Sequence, residues 1–380
     1  MMRVWLVLAF VLALSPLAVS VASAQTQQRG AQSPKAPPFS HQAERDKANE
    51  NLLMVLGGTL GGPWIHMAQD IALTVTEGDS LRVLPVAGDG AKKNLRDILL
   101  LRGVDLGITR LDVLNDVKAS GEYGANLDRR VAYITALSVD MLQVLARPEP
   151  SSLKDLNGKK MNVFPKGSVI PILLKTLGVE IEEVNLSIPD GIQQMRTGEI
   201  HATACFCSVP IPAYAGVSSD LGFKLLEVPY TAALEESFLP ASLSSETYPT
   251  LIARGSRVQT LGTHLLLITY NWAAGTDRYR KVEKFVDAFF SHLDKLRQPP
   301  RHPTWRDVNI AATVPGWQRF AAAQRWLDRQ AAEAAAKTPP SGIDPALARA
   351  QAANAAPHDR VEQERLFKEF LEWARRQPKR

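Results

Sequence analysis

The stretch Leu52-Leu53-Met54-Val55-Leu56-Gly57-Gly58-Thr59-Leu60-Gly61-Gly62-Pro63-Trp64-Ile65 decides the fold. Five apolar residues in a row read as a buried strand, and the glycines after them as a tight loop. From Pro63 onward the apolar residues Trp64, Ile65, Ala68, Ile71, Ala72 and Val75 recur at helical spacing. Proline at the first helical position is preorganised for a helix, so the loop lies where a strand gives way to a helix. The pattern then repeats, with a strand over 81–87, a turn at Gly88-Asp89-Gly90, a helix over 91–102 stopped by Gly103, and a strand over 104–109. Two such units side by side make half of an open α/β sheet, which carries ligands beyond the carboxyl ends of its strands. Unpaired N–H groups at the helix starts there favour an anionic group.

The middle of the chain echoes this plan. Residues 151–156 form a capped turn, 159–164 a strand, Pro165-Lys166-Gly167-Ser168 a loop, and 169–177 a helix ended by Gly178. A strand over 180–184, a helix over 189–197 ended by Gly198 and a strand over 199–205 follow. The expected fold is therefore α/β and bilobed, two open lobes of the same type joined by crossovers with a central cleft between their strand ends. Lobe I takes residues 52–147 and 258–330, and lobe II takes 148–257. Apolar runs over 131–137 and 141–146 read as two strands, and Pro148 and Pro150 as the crossover between lobes.

The chain has 380 residues and a formal net charge of +5. Its basic residues are scattered rather than striped with aromatics, which speaks against a nucleic-acid partner. Met1-Met2-Arg3, the apolar run 4–14 and Ala22-Ser23-Ala24 read as a secretory leader over 1–24, cut after Ala24, so the mature chain is expected to be exported, the alternative being an uncleaved membrane anchor. Residues 25–51 are polar and lack an apolar period, as a disordered linker would. Only two cysteines occur, Cys205 and Cys207. On one strand they share a face near the upper separation limit for a bridge, and they read as two buried free thiols ahead of the alternative, a strained Cys-x-Cys bridge in an oxidising compartment.

Residues 223–228 and 260–270 are further strands, the second returning the chain to lobe I. Residues 277–296 form an amphipathic helix with Val282, Phe285, Val286, Phe289, Leu293 and Leu296 on one face;. The tryptophans Trp305, Trp317 and Trp326 are expected to wrap lobe I. Residues 331–356 read as alanine-rich low complexity, and 359–375 as a terminal helix with Leu366, Phe367, Phe370, Leu371 and Trp373 on its apolar face.

The candidate ligand-binding residues are Gly58, Thr59, Gly61, Trp64, Gly90, Asn94, Arg110, Lys166, Gly167 and Ser168. Arg110 follows a strand end, where a guanidinium holds a carboxylate bidentately, unless it pairs with Asp112. Asn94 offers a donor and an acceptor, or caps its own turn. Lys166-Gly167-Ser168 joins a cation and a hydroxyl at a helix start, and Trp64 serves as a ligand wall or as core. Cys205 or Cys207 with His201 makes a poor nucleophile and base, because a single extended strand gives no perpendicular approach. The same three residues on one strand do not close a tetrahedral metal site. No catalytic residue, metal or cofactor is expected.

With these motifs placed, the chain resembles the TAXI class of solute-binding proteins, the periplasmic components of tripartite ATP-independent periplasmic (TRAP) transporters. Gly57-Gly58-Thr59-Leu60-Gly61-Gly62 is similar to that family's opening Gly-Gly-Thr-x-Gly loop, and Gly90-Ala91-Lys92-Lys93-Asn94-Leu95 to its Gly-Ser-x-x-Asn-Leu turn. Asp105-Leu106-Gly107-Ile108 with Asp112-Val113, Asp155-Leu156-Asn157-Gly158-Lys159 and Gly167-Ser168 resemble its later motifs. The sequence departs at Pro63-Trp64, Ala91, Phe164-Pro165-Lys166, Val169-Ile170, His201 and Cys205-Phe206-Cys207. The resemblance covers 52–296 and implies a bilobed periplasmic-binding-protein fold with a hinge, a periplasmic location, capture of a small anionic solute, a carboxylate or amino acid, and its delivery to TRAP membrane subunits. The alternatives are an exported sensor or scaffold that binds a partner through its C-terminal extension, or a thiol-dependent enzyme.

Overall fold

A computed structural model describes residues 41–60, 62–337, 345–356 and 359–375. The leader, most of the expected linker, Gly61 and the last five residues lie outside them. The chain divides into two units, Met1–Asp46 and Lys47–Arg380. All that is described of the first is the start of an exposed helix, Gln42–Glu50, where linker was expected.

The second unit is built on ten strands. In chain order these are β1 (Leu52–Leu56), β2 (Arg82–Val86), β3 (Leu106–Arg110), β4 (Val131–Ala146), β5 (Lys160–Phe164), β6 (Glu182–Val184), β7 (Ala202–Cys207), β8 (Lys224–Leu225), β9 (Leu239–Ser244) and β10 (Arg257–Tyr270). Their order is β2-β1-β3-β10-β4-β7-β5-β6, with β8 on β4 and β9 on β10. Read from its two ends, the list is the same twice. Lobe I runs second, first, third strand (β2-β1-β3) and then β10, while lobe II runs second, first, third strand (β6-β5-β7) and then β4. The echo seen in the sequence is thus a repeat of topology.

The two apolar runs expected as separate strands are one strand of 16 residues, β4. Its first part pairs with the end of β10, and from Met141 it also pairs with β7. Hydrogen bonding therefore carries the chain between lobes inside β4, and the crossover does not lie at the prolines 148 and 150. β10 returns by the same route, pairing first with β9 and then with β3. These partners are remote in sequence, which is why local pattern alone did not join the runs.

Each lobe buries helices on its sheet. In lobe I the helix Pro63–Val75 lays Ile65, Met67, Ala68, Ile71, Ala72 and Val75 inward. It packs with the stripe of the helix Asp277–Ser291, namely Val282, Phe285, Val286 and Phe289, and with the fully buried Trp305. Trp305 Nε1 donates to Asp70 Oδ2 at 2.9 Å, which satisfies the one polar atom that its burial would otherwise strand;. The long helix expected to reach residue 296 breaks at His292 and resumes as Leu293–Leu296. The segment after it covers the outer edge of early β4, with Tyr133 N–H donating to Gln318 O and Phe320 N–H to Tyr133 O.

The alanine-rich segment is helical, as Ala321–Lys337 and Pro345–Ala355, because alanine loses no side-chain freedom in a helix;. Arg325 and Arg329 pair with Glu283 and Asp287 across to the helix Asp277–Ser291. Ala348 and Ala352 receive Phe367 of the terminal helix Arg360–Arg375 in a small cluster of their own. No helix among the described residues is long and apolar enough to cross a membrane.

Candidate functional site

β1, β2 and β3 are mutually parallel, as are β5, β6 and β7. β10 opposes both β3 and β4, so β3 runs with β4, from lobe I toward lobe II. β7 opposes β4 and so runs back toward lobe I. The carboxyl ends of the two triplets therefore face each other across the lobe junction. Contact confirms the direction, for a Cβ built on Gly90 would lie 3.9 Å from Pro165 Cγ. The glycine turn of lobe I thus meets the loop Pro165-Lys166-Gly167-Ser168 of lobe II.

On the lobe I side, three junctions are sewn together by one side chain. Asn94 is fully buried, and its amide donates to Gly57 O at 2.6 Å and Ile108 O at 2.7 Å. Both donors are consumed in tying the loop that follows β1 to the middle of β3, rather than in capping the turn, while Oδ1 has no hydrogen-bond partner among the described residues. The loop after β2 packs on the same group. A Cβ on Gly88 would come within 2.1 Å of Asn94 Oδ1 and 2.6 Å of Gly57 O. Gly88→Ala should therefore lower stability by about 1–3 kcal/mol, readable as an earlier urea midpoint at unchanged slope. A midpoint equal to the parent's would show that this brace is dispensable.

The other candidates divide by position. Gly58 is buried and Thr59 exposed, while Gly90 and Trp64 are half-buried. Gly58 lies beneath Trp64, whose Cβ is 3.1 Å from a Cβ built on the glycine. Lys166 and Gly167 are exposed at the lobe II rim and Ser168 is half-buried, its hydroxyl accepting from Ile170 N–H at 3.4 Å. Gly61 lies outside the described residues.

Arg110 is not at an open cleft mouth. It is 3% exposed, and its Nε and Nη2 donate to Asp112 Oδ1 and Oδ2 at 2.9 and 2.8 Å. Its remaining nitrogen reaches Phe206 O of lobe II at 3.5 Å, and its guanidinium lies 4.9 Å over the Phe206 ring. Burial pushes the Arg110 pKa down, but the charge and hydrogen bonds of Asp112, helped by Asp140, carry it above the ordinary value. The ion pair with Asp112 foreseen at the surface is a buried latch between lobes.

Asp140 was not singled out in the sequence. It sits fully buried in the middle of β4, where Ser208 Oγ donates to its Oδ1 at 2.9 Å. Its Oδ2 has no hydrogen-bond partner among the described residues. Burial raises its pKa to about 6, against the charge of Arg110 and hydrogen bonding from the Ser208 and Trp64 side chains, while the charge of Asp112 adds to the rise. A signal was available, for Ser138 and Asp140 are the only polar residues between two apolar runs and fall on one face of the strand;.

Beside Asp140 lies a cavity of about 320 Å³ lined by Ser138, Ser208, His264, Thr304, Asp307 and Asn309 among others. It occupies the stretch of β4 edge between Ile134, where residues 318–320 stop covering it, and Met141, where β7 begins. Ser138 Oγ is buried there without a partner among the described residues.

Cys205 and Cys207 are joined in a disulfide, with Cα atoms 5.7 Å apart, inside the range for a bridge;. The less favoured of the two readings, the Cys-x-Cys bridge, is the one that forms, and the thiol-dependent reading is left without a free thiol. The bridge flanks Phe206 and precedes Ser208, the two β7-end residues that touch Arg110 and Asp140.

Two α/β lobes joined by two crossing strands, with opposed strand ends, make this a bilobed fold of the periplasmic-binding-protein type. A family model matches residues 55–316, and the chain belongs to the NMT1-like family. Three solved structures illustrate how distant the similar folds are. The aliphatic sulphonate binding protein SsuA from Escherichia coli is 16% identical, with 85% of this chain and 87% of that one covered and a TM-score of 0.40. A TctC solute binding protein from Polaromonas is 13% identical over 64% and 88%, with a TM-score of 0.38. The VFT2 domain of BvgS from Bordetella pertussis is 13% identical over 67% and 94%, with a TM-score of 0.36. No curated protein matches the chain.

Proposed function

We propose that the protein is an exported solute-binding component of a TRAP-type transporter, capturing a small acidic organic solute between its lobes and handing it to a membrane permease. The opposed strand-end loops carry this reading, Gly90 against Pro165 above all. Two strands shared by both lobes supply the hinge on which such a cleft closes;. Two helices begin at the lobe I rim behind Gly62 and Gly90, neither with a side-chain cap, so their first N–H groups are available to an acidic group;. Lys166 stands exposed on the opposite rim. Thr59, Trp64, Gly90, Lys166, Gly167 and Ser168 are therefore retained as solute contacts. Arg110 and Asn94 act one layer behind them, the first as latch and the second as brace. The motifs shared with the TAXI class point to the TRAP system, and the leader-like start of the chain to export. The role involves no bond making.

A thermal-shift screen of dicarboxylates, amino acids and sugar acids tests the reading. A solute present at a hundred times its Kd should stabilise the protein by about 2.7 kcal/mol. A flat melting temperature across all three classes would refute capture of an acidic solute.

A further inference from the structure

The bridge between Cys205 and Cys207 is ill suited to stapling the fold. A disulfide restrains the unfolded chain more the longer the loop it closes, and this one encloses only Phe206;. Its effect is therefore local to the end of β7. The two Cα atoms lie 5.7 Å apart, whereas two residues of ordinary strand advance about 6.6 Å, so the bridge draws that end in;.

Several contacts converge on the shortened end. The cysteines face the lobe II core with Tyr214 and Tyr248, while Phe206 belongs to the core on the other face. There the Phe206 carbonyl accepts from Arg110 Nη1 at 3.5 Å, and the ring lies under the guanidinium and stacks on Phe238 at 5.4 Å. Ser208, one residue beyond the bridge, donates to Asp140 at 2.9 Å. Cys205 is paired with Phe164, the last residue of β5 before the loop Pro165-Lys166-Gly167-Ser168. The bridge thus stands directly behind both the latch and the lobe II rim. Cys205 is fully buried and Cys207 half-buried, so an outside thiol meets Cys207 first.

We propose that the Cys205–Cys207 bridge is a site of thiol–disulfide exchange with an external dithiol, and that its reduction slackens the latch between the lobes. A thiolate of the dithiol attacks Cys207 Sγ, the bond between the two Sγ atoms breaks, and Cys205 leaves as a thiolate that takes up a proton. The second sulfur of the dithiol then attacks its own partner in the mixed disulfide. Cys207 leaves as the second thiol and the reductant departs as a disulfide, so two electrons and two protons have passed to the protein. With the bridge open, the end of β7 regains the pitch of an ordinary strand, and Phe206 and Ser208 shift against Arg110 and Asp140. The fold survives the change, because so short a loop contributes little to the whole.

The test uses the mature chain without solute, and dithiothreitol as the dithiol. The untreated folded protein should show no thiol to a chromogenic thiol reagent, and the treated one should show both cysteines while still folded. Amide hydrogen exchange over 205–208 and 110–112 should then quicken about tenfold or more, with β2 at the far edge of lobe I unchanged;. A second chain carrying Arg110→Met with Asp112→Leu separates latch from bridge. Reduction should move the parent's urea midpoint to lower urea and that of the double variant by less than about half as much, since it has no latch left to slacken. If the double variant does not fold, the exchange measurement decides alone. Equal midpoint shifts in the two chains, or exchange that rises uniformly or not at all, overturn the proposal. Thiols already free in the untreated protein, or a bridge that opens only on unfolding, overturn it as well. Solute capture stands in every case, because no solute takes part.

Discussion

Arg110→Met unfolds far more readily than the parent, by about 3–5 kcal/mol, the usual cost of removing one partner from a buried ion pair. Methionine fills much of the space and can still lie on Phe206, so the loss is not one of packing. Asp112 is only 2% exposed, and without the guanidinium it keeps a single side-chain donor, the Thr263 hydroxyl at 3.1 Å. The bridge from lobe I to Phe206 O is lost in the same step. The double variant Arg110→Met with Asp112→Leu should recover most of the deficit, since replacing a whole buried pair by apolar groups is often nearly neutral. Urea denaturation of the three chains decides the matter. A single variant within about 1 kcal/mol of the parent would mean that water reaches Asp112 and that the pair is not the latch described above.

Asp140→Asn has the opposite sign, and the solute-free variant is more stable than the parent at pH 7.5. The carboxyl titrates at about 6 in the folded chain against an ordinary value of 3.8, so its folded-state pKa is raised. The stability it contributes is full below pH 3.8 and is lost as pH rises to about 6, as the buried group is forced to ionise;. A shift of roughly two units corresponds to about 3 kcal/mol, an upper bound on the gain at pH 7.5. Asparagine keeps an oxygen for Ser208 Oγ and has no charge to lose. Parent and variant should therefore converge in stability near pH 4, diverge as pH rises to about 6, and keep a constant gap above it;. Melting curves at pH 4.5 and 7.5 measure this, and a gap that is the same at both would show that Asp140 is already satisfied.

The local grammar of the chain was readable and the long-range pairing was not. Strand, glycine turn and helix from Leu52 to Leu100 were placed to within a residue or two, because β-to-helix changes of period and a proline at Pro63 are written in neighbouring residues;. The fusion of the runs on either side of Ser138 into one strand depends on β10, more than a hundred residues away. β9 escaped for a local reason, since Leu239-Pro240-Ala241-Ser242 carries a proline and no apolar run, and it is a strand because the nearby β10 pairs with it;. At the site, Arg110 and Asp112 were seen as a pair but not as buried, since Phe206 and Thr263 close over them from other parts of the chain. Asn94 was noticed for its chemistry, yet its partners Gly57 and Ile108 are fixed only once the loops converge. For the cysteines, spacing placed the pair near the limit of bridging, and the strand's actual geometry falls inside it.

The twin passage of β4 and β10 gives the molecule an economy of construction with a definite cost. Neither half owns a complete sheet, since lobe I borrows the last residues of β10 and lobe II borrows the last residues of β4. A chain severed at the waist would leave raw, unpaired backbone on both pieces, so evolution cannot trade one half for another as it trades beads on a string. Whatever one half recognises, the other must have been shaped alongside it.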